Sequence, residues 1–376
     1  MKFVVSSLDL LHHLQAVSRV ISTKNTLPIL DNFLFRLEDN ILRITASDLE
    51  TTLVTQMKLE NTSDEGSIAL PARILNETLK EFGEEPLTFE VNLETLGVVI
   101  LSEKGKYNIV GSRATDFPQA PTIKTQIKTT LEVDAEVLFH GITRTIFATA
   151  NDDLRPIMNG IFFEMDTGNT TMVASDAHKL VRYTRKGLGA DKEASFILPK
   201  KPASLLRNIL PKEENKVIVE FDDKNAAFTL SDYNLVCRLV EGNYPSYNSV
   251  IPQENPNKLR VGRTELINTL KRVSVFSNQA SNLVKFEIAG NQLTLSAQDI
   301  DFSVSAREWL SCQYEGTDME IGFKSVFLLE ILNNLPGEEV IFELSDPTRA
   351  GIILPAEPES EDDDILMLLM PMMIGA

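Results

Sequence analysis

The sequence predicts an α+β fold built from three repeated domains, and three observations predict it. First, the stretch Leu42-Arg43-Ile44-Thr45-Ala46-Ser47-Asp48 returns as Met172-Val173-Ala174-Ser175-Asp176 and as Leu293-Thr294-Leu295-Ser296-Ala297-Gln298-Asp299. Each copy alternates apolar and polar residues, the pattern of a half-buried strand, and ends at an aspartate. Second, each copy follows a similar strand and turn. These are Phe33–Leu37 with Glu38-Asp39-Asn40, Gly160–Glu164 with Asp166-Thr167-Gly168-Asn169, and Val284–Ile288 with Ala289-Gly290-Asn291. Third, the stretches 3–22, 131–150 and 259–278 align without a gap at equal steps. A repeat of this length decides the architecture of the whole chain.

Those aligned stretches each open as an extended run and pass into a helix. Leu10, Leu14 and Val17 recur as Leu138, Ile142 and Thr145, then as Leu266, Leu270 and Val273. That i, i+4, i+7 spacing is one buried helix face. Ser6 or Ser7, Asp134 and Thr264 are the expected N-caps. A second helix follows each hairpin. Leu70-Pro71-Ala72-Arg73 opens the first, Leu198-Pro199-Lys200-Lys201 the second, and Gly322-Phe323-Lys324 the third. Proline there presets the backbone and loses no needed N–H. Alternating segments then close each repeat. The expected domains are 1–127, 128–255 and 256–376, each of ordinary domain size.

Composition narrows the function classes. The chain has 376 residues, is 43% hydrophobic and carries a net charge of −18. Its apolar run 365–374 is too short for a bilayer, which needs about 20 residues, so no membrane role is expected. Cys237 and Cys312 stand alone in separate repeats, which fits a reducing cytoplasm and no metal or other cofactor. The net charge alone argues against a polyanion. Yet the six expected helices with their entry residues hold ten Lys and Arg against six Asp and Glu. Weakly basic helices on an acidic chain suggest helices facing a polyanion and sheets facing solvent.

Geometry extends that reading. Three domains, each about 30–35 Å across, leave almost no hole when closed in a circle, whereas six leave one about 30 Å wide. Two copies are therefore expected to enclose a duplex, with sheets joined edge to edge outside and helices meeting phosphates without reading bases.

Taken together, these residues resemble the bacterial DNA polymerase III β subunits, the replication sliding clamps. The resemblance covers essentially the whole chain. It is carried by Thr26-Leu27-Pro28-Ile29-Leu30 running into Ser47-Asp48-Leu49-Glu50, by Val173–Leu180, by Glu241-Gly242-Asn243-Tyr244-Pro245 and by Met370-Pro371-Met372. It implies three clamp domains with helices lining a hole and β-sheets outside, in a head-to-tail homodimeric ring on double-stranded DNA without sequence preference. It implies no catalysis, opening by an ATP-driven clamp loader, and short linear motifs from the DNA polymerase III α subunit, other polymerases and repair proteins as further partners.

The resemblance also implies site residues. A partner-peptide pocket would involve Arg155, Met158, Ser175, Ala177, His178, Lys179, Leu180, Pro245, Val250, Phe327, Leu368, Met370, Pro371 and Met372. DNA contacts would be Lys24, Arg73, Lys200 and Lys201. The dimer interface would set Lys104, Lys106 and Tyr107 against Val275 and Phe276, with Asp301 and Glu308 placed to answer the lysines. The chain departs from many members at Pro156-Ile157 and in its ending Met373-Ile374-Gly375-Ala376.

Competing readings are weaker. Ser175, Asp176 and His178 lie within four residues, whereas a hydrolytic triad gathers separate segments. Asp48, Asp176 and Asp299 are equivalent positions of separate repeats and cannot share an ion. Each is expected to cap its turn. His12 and His13 read as surface or boundary residues, Glu357–Asp364 as a solvated loop, and Trp309 and Tyr314 as sheet packing. A triplicated β-rich scaffold or pocket enzyme without a DNA role is the alternative class.

Overall fold

A computed structural model describes residues 1–124 and 128–374. The expected boundary after residue 127 falls on 125–127, and Gly375-Ala376 ends the chain; both lie outside the described residues. The described residues form six helices and four sheets. The helices are α1 (Ser7–Ser18), α2 (Ala72–Leu79), α3 (Ala135–Ile146), α4 (Lys200–Ile209), α5 (Arg263–Ser274) and α6 (Ser325–Asn334). The three expected helix faces are buried as predicted, from Leu10 to Val273. The Ser6 hydroxyl caps α1 by accepting from the Asp9 amide at 3.4 Å. In α5 the expected cap is corrected: the helix starts at Arg263 after Gly262, so Thr264 lies inside the first turn.

The three anchor hairpins are present: Asn32–Glu38 with Ile41–Ser47, Gly160–Met165 with Asn169–Ser175, and Leu283–Ala289 with Gln292–Asp299. Each terminal aspartate caps its turn. Asp48 Oδ1 accepts from the amides of Glu50 and Thr51 at 3.0 and 2.7 Å, and Asp176 Oδ1 accepts from His178 and Lys179 at 2.9 Å each. Asp299 Oδ1 accepts from Asp301 and Phe302 at 3.0 and 3.4 Å. Each aspartate satisfies two amides that a tight turn leaves unpaired.

The chain divides into two compact units. Unit 1 is residues 1–139 with 201–239, and unit 2 is 140–200 with 240–376. The central repeat is thus shared, because strand pairing runs across the repeat boundaries. In unit 1, strand Thr51–Lys58 pairs antiparallel with Tyr233–Arg238, setting Leu53 opposite Leu235 and Thr51 opposite Cys237. This seam fuses strands of the first and second repeats into one nine-stranded sheet. A five-stranded sheet completes the unit, with Phe3 stacked on Phe89 at 4.9 Å beneath it. In unit 2, strand Lys179–Lys186 pairs with Asp363–Leu369, setting Val181 opposite Met367 and Leu180 opposite Leu368. That seam makes a second nine-stranded sheet from the second and third repeats. A four-stranded sheet carries α5.

Both seams bury apolar pairs: Leu53, Leu235, Val181 and Met367 are all fully buried. Cys237 lies in the first seam, where burial pushes its thiol up to about 12, far from a reactive thiolate. The second seam adds charge. Asp363 Oδ1 accepts from the Tyr183 phenol at 2.7 Å and from Arg185 Nη1 at 3.2 Å, while Arg144 lies 3.7 Å from Asp363 Oδ2 and pairs with Glu359. Asp364 meets Arg182 at 2.9 Å. The acidic run is therefore not simply a solvated loop. Its C-terminal carboxylates enter the strand Asp363–Leu369 and neutralise arginines from the neighbouring repeat. Tyr314 packs with its phenol on the Thr317 carbonyl, but Trp309 is 66% exposed on strand Val304–Ser311, which corrects its reading as sheet packing. The strand is an edge of the four-stranded sheet.

Removing Asp363 takes the acceptor from the Tyr183 phenol and from Arg185 Nη1 and leaves the buried Arg144 with Glu359 alone, whereas Asp364 is half exposed. We expect Asp363→Ala to lower unfolding free energy by about 3 kcal/mol and Asp364→Ala by less than about 1 kcal/mol. Denaturant melts of the two variants check the contrast.

Candidate functional site

The candidate groove lies wholly in unit 2. Leu180, Leu368 and Ile352 sit opposite one another on three neighbouring strands and form one apolar row. Val173, Leu366, Ala350, Tyr247 and Ile251 complete the buried cluster, and Phe162, Tyr244 and Leu354 pack against it. The short helical turn Tyr247–Val250 brings Tyr247 over the sheet. Phe162 stacks on Tyr244 with ring centres 4.8 Å apart and planes 3° apart. The Tyr247 phenol donates to Glu164 Oε2 at 2.5 Å. Burial, then Glu164, pushes the Tyr247 phenol up to about 12; burial also raises that of Tyr244.

Around this floor Pro245, Val250 and Met370 are exposed, and Pro371 and Met372 are half-buried. The tail is held by two backbone bonds: the Met370 amide donates to the His178 carbonyl and the Met372 amide to the Gly322 carbonyl, each at 2.8 Å. Apolar side chains standing free beside an apolar row suit a peptide with apolar anchors, and methionine adapts to several shapes.

The other expected pocket residues divide by environment. His178 stacks on Phe327 at 5.6 Å, with Lys179 Nζ 4.2 Å from the same ring centre. Lys179 is buried and committed to Asp176 at 2.6 Å and Glu330 at 3.1 Å. Ser175 donates to the Lys179 carbonyl at 2.9 Å and accepts from the Ala177 amide at 3.2 Å, so its hydroxyl serves the turn. Ala177 takes φ +73°, an unfavourable region for a residue with a Cβ. Met158 is buried outside the cluster. Arg155 is exposed and turned to Asp152 at 2.8 Å.

Of the cations expected on DNA, Lys24 and Lys200 are exposed and form no ion pair among the described residues. Arg73 is exposed and bonded to Glu77 at 2.9 Å. Lys201 is tied down: its ammonium meets Asp48 Oδ2 and, at 2.6 Å, the Val20 carbonyl. The helices are consequently less freely basic than their composition suggests, since Arg144 is also buried in ion pairs.

The expected interface residues lie at two sheet edges. Lys106 and Tyr107 are on the exposed edge strand Lys106–Val110 of unit 1, just after Lys104, and Tyr107 meets Phe82 edge-on at 5.3 Å. In unit 2, Val275 and Phe276 follow α5, and Asp301 precedes the edge strand Val304–Ser311. Glu308 is engaged internally, by Arg272 Nε at 3.1 Å and by Thr269.

Tyr247, Ile251, Ile352 and Leu366 were not among the expected pocket residues. The signal for the strands was present: Ile352-Ile353-Leu354 and Ile365–Leu369 are continuous apolar runs, the mark of strands covered on both faces.

A chain with three such repeats joined by seams of continuous sheet has the three-domain clamp fold. Profiles of the DNA polymerase III beta subunit match in order: the N-terminal domain over 1–121, the central domain over 132–246 and the C-terminal domain over 248–373. The chain belongs to the DNA polymerase III beta subunit family. It is 30% identical to the beta sliding clamp of Vibrio cholerae, covering 99% of each chain. It is 29% identical to that of Escherichia coli K12, over 96% of this chain and 97% of the other. Among solved structures, a sliding clamp from Pseudomonas aeruginosa superposes with a TM-score of 0.92 at 26% identity, and the β subunit from Thermotoga maritima with 0.90 at 28%; both match over the full length of both chains. The function that family carries, and this chain with it, is that of a sliding clamp for DNA polymerase III.

The raised Tyr247 phenol predicts alkaline behaviour. A phenol whose folded value lies above its unfolded value of 10.0 contributes stability in full below pH 10, and that stability is lost as pH rises toward 12. Alkaline titration of phenolate absorbance should show a step near pH 12 that is missing in Tyr247→Phe. Loss of a step near pH 10 in that variant, in place of the one near pH 12, would contradict the burial of this ring.

Proposed function

We propose that two copies of this chain close head to tail into a non-catalytic ring around duplex DNA, in the bacterial cytoplasm where polymerase III works. The three clamp domains are 1–127, 128–255 and 256–376, with helices toward the DNA and sheets outside. One observation carries the reading: positions buried at the two internal seams stand exposed at the chain's free edges. Leu53 opposite Leu235, and Val181 opposite Met367, have as their third-repeat and first-repeat counterparts Val304 and Tyr107, each 40% exposed. Val20 and Ala148 are fully buried after α1 and α3, while Phe276, the same position after α5, is 38% exposed. Unpaired sheet edges with exposed apolar residues attract another strand. Repeating the register of the first seam sets Val304 opposite Tyr107 and Phe302 opposite Ile109 of a second copy. The contact uses a different face on each subunit, and closure after two copies leaves no edge open.

Duplex DNA would be held through phosphates by cations such as Lys24 and Lys200, without sequence preference. The apolar row of Leu180 and Leu368, rimmed by Pro245, Val250, Met370 and Pro371, supports a groove for linear motifs of the polymerase III α subunit, other polymerases, repair proteins and the clamp loader. The turn duties of Ser175, Asp48, Asp176 and Asp299 support a role without bond chemistry.

Two variants separate ring from groove. Phe276→Asp should sediment as a monomer yet bind a polymerase-derived peptide within about twofold of the parent, and deletion of Met370–Ala376 should leave the dimer and weaken the peptide at least about tenfold. An unchanged mass for Phe276→Asp removes the edge assignment. Full peptide affinity in the truncated chain places the groove elsewhere.

A further inference from the structure

Each internal seam sets a cation against the second oxygen of its turn aspartate. At the first, Asp48 Oδ2 takes Lys201, the second residue of α4, which belongs to the following repeat. At the second, Asp176 Oδ2 takes Lys179 of its own repeat at 2.6 Å. The position matching Lys201 there is Val326, because Pro199 lies opposite Gly160 as Lys324 lies opposite Leu283. The third aspartate, Asp299, is buried, its Oδ1 serves two amides, and no cation pairs with it among the described residues. Its own repeat offers Phe302 where the second repeat has Lys179. In a closed pair of copies the following repeat is the first repeat of the partner. The position matching Lys201 in that repeat is Arg73, the second residue of α2.

We propose that Arg73 of one copy pairs with Asp299 of the partner subunit, across the seam between copies. This rests on the two-copy reading above. Arg73 is 86% exposed and spends Nε on Glu77, which leaves its two terminal nitrogens as donors. It stands in the first turn of α2, where the helix dipole disfavours a cation. An anion lying beyond the helix end offsets that cost, as Asp48 does for Lys201. The Asp299 carboxylate, whose Oδ1 is already engaged by two amides, keeps its Oδ2 for a cation, and pairing offsets the cost of burying its charge. Arg73 therefore leaves the set of DNA contacts and becomes an interface residue, and the family of seams acquires one rule: one cation for each turn aspartate.

The test is the dimer dissociation constant of the full chain, measured by sedimentation and by subunit exchange. The variants are Arg73→Gln, Asp299→Asn, their combination and Arg73→Lys. Asparagine keeps the Oδ1 acceptor that the turn amides need. Because the pair occurs twice in a closed dimer, each neutral variant should raise the constant by about tenfold or more, and the combination should be no worse than either alone. Arg73→Lys should recover most of the loss, since lysine does this work at the first seam. Unchanged constants in a dimeric parent, or losses that simply add, overturn the pair while the ring stands. A monomeric parent overturns the ring and the pair together.

Discussion

The structure depends on antiparallel pairing between the strand that leaves one repeat's anchor turn and the last strand of the next repeat. That pairing satisfies two rows of backbone groups at once and buries the apolar residues that alternate along them. Leu53 with Leu235, and Val181 with Met367, are the visible result. The contacts follow these seams so closely that the central repeat is divided between two compact units. The interface between two repeats is therefore the interior of a sheet.

The turn aspartates link local geometry to this assembly. One oxygen fixes the turn, which aims the departing strand; in the first two repeats the other meets a lysine. Around them the backbone accepts unfavourable torsions at the equivalent residues Leu49 and Ala177, with φ of +78° and +73°. Sheet pairing on one side and the two amide bonds on the other hold these turns in place. In the second repeat the same turn presents His178 to Phe327 and its carbonyl to the Met370 amide, so the groove's tail is anchored to the element that also starts the seam.

Much of this was legible in the sequence, and the reason is periodicity. Leu10, Leu14 and Val17 with their counterparts declare buried helix faces, and Asp48, Asp176 and Asp299 declare capped turns. Pairing partners were less legible, because opposite strands lie far apart in the chain: nothing local to Arg144 points to Glu359 and Asp363. Charge was misleading for the same reason. Lys201 and Arg144 read as helix cations facing a polyanion, yet each is committed to a carboxylate brought in by tertiary structure. The peptide groove was half visible. Its exposed rim, Pro245, Val250 and Met370, and from its floor Leu180 and Leu368, followed from resemblance, whereas Ile352, Leu366, Tyr247 and Ile251 needed the register and packing that bring them beside that pair.

Retention on circular DNA decides whether two copies close around the duplex. The protein would be loaded on a nicked circle by its own loader, the salt raised to screen phosphate contacts, and the circle then cut. A closed ring stays on the circle at high salt and is lost after cutting, because the link is topological. Retention on the cut DNA, or loss from the intact circle with rising salt, would contradict the account and indicate direct electrostatic binding.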